Sequence, residues 1–64
     1  MEFIILNRPK DTPIYLQTNR ILALELHGDG TTWVHVGHRY GYGLRVLETP
    51  EQIIELINQL KGGD

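Results

Sequence analysis

Sixty-four residues make one domain, 1–64, and exclude a Rossmann unit, a TIM barrel and any enzyme built around a cleft between two lobes. Apolar residues at 41% and charged residues at 22% mark a globular chain, and the absence of cysteine excludes disulfides, thiolate nucleophiles and Cys-based zinc sites. A formal net charge of −2 with a pI near 5.8 weighs against a dedicated duplex-DNA binder, which carries a basic patch and a pI above about 9.

Phe3-Ile4-Ile5-Leu6 is β-rich and apolar and predicts a first strand. Both of its faces are apolar, Phe3 with Ile5 and Ile4 with Leu6, the pattern of a strand covered on both sides. The run is too short for a signal-peptide core, and no stretch approaches the roughly 20 apolar residues of a membrane span. The expectation is a soluble, cytoplasmic protein. Asn7 to Pro13 is turn material, with two prolines beside Asn and Asp. Ile14-Tyr15-Leu16-Gln17 alternates and predicts a second strand, and Thr18-Asn19-Arg20 a short connection.

Ile21 to His27 and Thr31 to Gly37 flank Gly28-Asp29-Gly30, a strong hairpin signal. The strand period of two allows the loop to be tested, because a slip of one residue inverts every side chain. A two-residue loop scrambles the apolar set. A three-residue loop, with a glycine at the left-handed position, sets Leu24 opposite Val34, Glu25 opposite Trp33, Ala23 opposite His35 and His27 opposite Thr31. Leu22, Leu24, Leu26, Val34 and Val36 then share one face. In the next hairpin, pairing Val36 with Leu44 and Val34 with Val46 keeps that face continuous. It sets His35 opposite Arg45 and Trp33 opposite Leu47, with the turn at Tyr40 and Gly41 free to take positive φ.

The C-terminus changes period. Thr49 is a helix N-cap candidate, Pro50 sits at the first helical position, and Gln52 completes a capping box. Ile53, Ile54, Ile57 and Leu60 form one apolar stripe, read as core. Lys61 suits the negative end of the helix dipole, and Gly62-Gly63 stops the helix.

The fold class is therefore α+β: an antiparallel β-meander of four to five strands with one C-terminal helix packed on one face. The helix leaves a second face bare, carrying Ile21, Ala23, Glu25, Trp33, His35, Arg45 and Leu47. Covering the Trp33 ring alone removes about 150–250 Å² from water, roughly 4–6 kcal/mol. So small a chain buries only about 60% of its unfolded surface, and without disulfides it needs an idealised core or a partner. This face is the expected interface, with a second copy of the chain as the simplest partner.

The chemistry-bearing residues have bland readings beside sharp ones. His27 and His35 share a face without being adjacent, and His35 and His38 point to opposite faces. No metal or other cofactor is expected. Glu25, His35 and Arg45 can meet across three strands, as acid–base groups or as a cross-strand network fixing register. No nucleophile stands beside them, so no enzyme is expected. Arg39, Tyr40, Tyr42 and Arg45 interleave basic and aromatic groups in the hairpin 38–45, the pattern of a single-strand nucleic-acid accessory protein, and this is the alternative reading.

The order of features resembles the FlbD/SwrD-type proteins of flagellar operons, small bacterial and phage-borne chains. The resemblance rests on Ile4-Ile5-Leu6, Asp11-Thr12-Pro13, Tyr15 to Asn19, Ile21 to Glu25, Asp29 to Val34, and Val46 to Ile57. It implies a non-enzymatic accessory protein. Together these readings predict a small protein-interaction or assembly module that self-associates or docks on a partner through the Trp33 face.

Overall fold

A computed structural model of the chain describes residues 2–37 and 42–61. Among the described residues, five strands precede one helix: β1 (Phe3–Leu6), β2 (Ile14–Gln17), β3 (Ile21–Leu26), β4 (Thr32–Val36), β5 (Gly43–Val46) and α1 (Pro50–Lys61). All pairings are antiparallel, and the α+β class expected from the sequence is the one observed. The meander is divided, however. β1 and β2 form one sheet, and β3, β4 and β5 form another. A 3-10 turn at Thr18–Arg20 carries the chain between them.

The loop from β1 to β2 is held by the Arg8 side chain. Its Nε donates to the Thr12 carbonyl oxygen at 2.8 Å and its Nη2 to Thr12 Oγ1 at 3.0 Å. The two sheets meet where β1 and β5 end. The Leu47 N–H donates to the Asn7 carbonyl oxygen at 2.8 Å, and the Asn7 N–H and side-chain amide both donate to the Glu48 carboxylate.

The β3–β4 hairpin has the register that the apolar pattern requires: Ala23 opposite His35, Leu24 opposite Val34 and Glu25 opposite Trp33. Its three-residue loop closes with Gly30 N–H to the His27 oxygen at 3.0 Å and His27 N–H to the Thr31 oxygen at 2.8 Å. Gly30 has φ of +89°, a backbone region that a Cβ disfavours. Asp29 Oδ1 accepts from both the Thr31 hydroxyl, 2.6 Å, and the Thr31 N–H, 3.0 Å, which stiffens the tip.

Two expectations for this sheet need correction. A bulge shifts the register between Ile21 and Ala23, so that Ile21 pairs with Val36. An extra residue in one strand inverts the side chains beyond it. Ile21 therefore turns from the bare face to the core, and Leu22, expected in the core, is exposed. Second, β5 pairs with β4 two residues away from the expected register. Thr32 is opposite Val46, Trp33 opposite Arg45, Val34 opposite Leu44 and His35 opposite Gly43. A slip of two preserves parity, so the faces keep their composition while the neighbours change. The expected turn at Tyr40 and Gly41 falls outside the described residues.

α1 begins as the capping box predicts. The Thr49 N–H donates to Gln52 Oε1 at 2.9 Å, and the Gln52 N–H donates to Thr49 Oγ1 at 3.2 Å. The inward stripe differs from expectation: Ile53 is fully buried and Leu56 and Ile57 are partly buried, while Ile54 and Leu60 are exposed. The core draws on both sheets and the helix at once, with Ile4, Leu6 and Leu16 from the first sheet, Val34 and Val46 from the second, and Ile53 from the helix. The β1–β2 hairpin is thus a wall of the core, inner side in and outer side out. The expectation that β1 is covered on both faces does not hold, because Phe3 and Ile5 are exposed. Gly62 and Gly63 lie outside the described residues.

Candidate functional site

The bare face of the three-stranded sheet carries two cross-strand rows. Glu25, Trp33 and Arg45 make one, and Ala23, His35 and Gly43 the other. His35 Nε2 lies 3.1 Å from Glu25 Oε1 on the diagonal between the rows. The Trp33 and His35 rings meet edge to face, with centroids 6.3 Å apart and planes at 73°. The indole also lies against Gly43, where an added Cβ would come within 2.9 Å of Nε1 and collide with the Val34 carbonyl oxygen. Trp33 is therefore half-buried by its own sheet, though it is not part of the core.

Of the seven residues expected on this interface, Ala23, Glu25, Trp33, His35 and Arg45 share the face. The bulge has moved Ile21 into the core. Leu47 has left the sheet after β5 and lines a groove with Ile5 and Leu56. The face thus loses both of the aliphatic side chains that were to accompany the indole. The Glu25–His35 pair is a contact across the β3–β4 ladder, and the groove beside α1 is lined by other residues. Among the described residues, no group of three His, Asp or Glu side chains is placed to hold a metal ion.

The nucleic-acid set is only partly on view. Arg39 and Tyr40 lie outside the described residues, as does His38. Tyr42 and Arg45 are both exposed.

A different apolar surface is present, on the outer side of β1–β2. Phe3 is 47% exposed, Ile5 51% and Tyr15 67%, and Ile5 and Tyr15 are directly paired across the two strands. Leu47, 51% exposed, extends this band from the Ile5 end. Here an open groove of about 660 Å³ runs between the hairpin and α1, floored by Ile5, Leu47 and Leu56 and edged by Glu48, Glu51, Gln52 and Glu55. Glu48 is fixed by its bonds to Asn7, whereas Glu51 and Glu55 stand one helical turn apart on exposed helix surface. The signal for this band was in the sequence, in the double-sided apolarity of Phe3 to Leu6. One set enters the core, and the other needs a cover that the described residues do not supply.

Compared with models of protein families, with curated proteins and with solved structures, the chain finds no match in any of the three. No helix among the described residues is long and apolar enough to cross a membrane.

Proposed function

We propose that the chain is a small, cytoplasmic, non-enzymatic protein-interaction module that docks on another protein through the band of Phe3, Ile5, Tyr15 and Leu47. The observation that carries this reading is the exposure of those four side chains, 47% to 67%, on adjoining surface. Large contiguous apolar patches on small proteins mark interaction sites. Covering the exposed parts of Phe3 and Tyr15 alone removes roughly 150–250 Å² from water, about 4–6 kcal/mol before the costs of association.

The Trp33 face offers less. Its indole is already half covered, its aliphatic members point elsewhere, and Glu25 and Arg45 dominate what remains exposed. A homo-oligomer is the competing occupant of the band. The carboxylates beside Leu47 call instead for a cationic partner, and a net charge of −2 makes a second copy a poor source of one. The resemblance to the FlbD/SwrD-type accessory proteins is in keeping with a role without catalysis.

Selection of binding peptides from a random displayed library, followed by backbone NMR mapping on the full chain, tests the reading. Shifts centred on Phe3, Ile5, Tyr15 and Leu47 are expected. Shifts centred on Glu25, Trp33 and His35 instead would return the docking role to the three-stranded sheet and overturn the assignment.

A further inference from the structure

We infer that the groove between β1 and α1 receives a basic amphipathic helix of another protein. The inference rests on the docking reading above and names the chemistry of its partner. The floor is apolar, formed by Ile5, Leu47 and Leu56, and the charged residues lining the groove are all carboxylates: Glu48, Glu51 and Glu55. A partner must therefore supply apolar side chains for the floor and cations for the edge. An amphipathic helix with Lys or Arg flanking its apolar face does both.

The spacing of the carboxylates at the groove suits a helix. Strand addition needs free N–H and C=O groups on a sheet edge. Just past β1 they are taken at one residue: the Asn7 carbonyl oxygen accepts from Leu47 N–H, and the Asn7 N–H donates to Glu48. Glu51 and Glu55 are four residues apart on α1, about 6 Å along its axis, and cations four residues apart on a partner helix repeat at the same interval. Complementary charge of this kind orients a partner and rejects acidic ones.

The test uses the full chain and two synthetic 18-residue amphipathic helices, one with Leu and Lys faces and one with Leu and Glu faces. The Lys peptide is expected to bind with NMR shifts at Ile5, Leu47 and Leu56, to weaken as salt rises, and to bind at least about tenfold tighter than the Glu peptide. The double variant Glu51→Gln/Glu55→Gln changes only exposed helix positions and keeps the fold, confirmed by an unchanged circular dichroism spectrum. It is expected to weaken the Lys peptide about three- to tenfold. Equal binding of both peptides at these residues would sink the charge inference while leaving the docking surface standing. Binding of the Lys peptide that maps elsewhere, that ignores the double substitution, or that is absent altogether overturns it. So does sedimentation showing a dimer of the chain closed through Leu47, which makes a second copy the occupant.

Discussion

The Thr32 hydroxyl sits fully buried with no hydrogen-bond partner among the described residues, on the inner side of β4. A buried hydroxyl left unpaired costs about 1–3 kcal/mol. Thr32→Val keeps the branched shape and removes the unpaired group, so urea unfolding should show a gain of about 1 kcal/mol. Glycine chemistry points the other way at Gly30, where φ is +89°. Gly30→Ala forces an L side chain into that region and should cost about 1–2 kcal/mol in the same measurement. Beside it, the two hydrogen bonds from Thr31, side chain first and backbone second, hold the Asp29 carboxyl below its usual pKa of 3.8. A depressed folded-state pKa contributes stability that is present above the unfolded value and lost as pH falls through the folded one. Asp29 thus supports the hairpin at neutral pH and withdraws that support below about pH 4. Acid titration of Asp29→Asn should show a shallower loss of stability in that window. A limb as steep as the parent's would mean that the carboxylate does not act there.

At the scale of elements, the bulge in β3 decides which of two neighbouring aliphatics belongs to the core. Ile21→Ala should cost about 2–3 kcal/mol, because Ile21 packs against the buried cluster, while Leu22→Ala should stay below about 1 kcal/mol at an exposed site. Equal costs would mean that the strand runs without the bulge. The start of α1 is a second local device. Thr49→Ala breaks one arm of the reciprocal pair with Gln52 and should cost about 1 kcal/mol. Adding Gln52→Ala should cost little more, because the two bonds act as a unit.

For the whole molecule, Ile53 joins the helix to both sheets. A 64-residue domain has on the order of 3–10 kcal/mol of total stability. Ile53→Ala removes about 2–5 kcal/mol of it. Thermal unfolding should show a large fall in Tm or no cooperative transition. By contrast, Ile5→Ser at the exposed band should leave Tm nearly unchanged and lower affinity for band-binding peptides. That contrast separates the inner wall of the β1–β2 hairpin from its outer one.

Local chemistry was legible wherever a short stretch of chain settles its own conformation. Gly28-Asp29-Gly30 with period-two flanks gave the three-residue loop, its glycine and the β3–β4 register. Thr49, Pro50 and Gln52 gave the start of the helix. Parity placed Ala23, Glu25, Trp33, His35 and Arg45 on one face, and it survived the two-residue slip of β5 because a slip of two changes neighbours and not sides. What the chain could not state locally is how far the meander stays one sheet. The break between β2 and β3 turns the hairpin into a wall over the core, and this leaves the second apolar set of β1 facing water. The bulge at Ile21 and the departure of Leu47 from the sheet are likewise set by what packs across the core, where Ile53, Val34 and Leu6 must all be satisfied at once. Sequence alone thus determined the elements and, apart from the bulge at Ile21 and part of the helix stripe, their sides. Only the tertiary packing decided which apolar side remained bare, because burial depends on contacts between segments far apart in the chain.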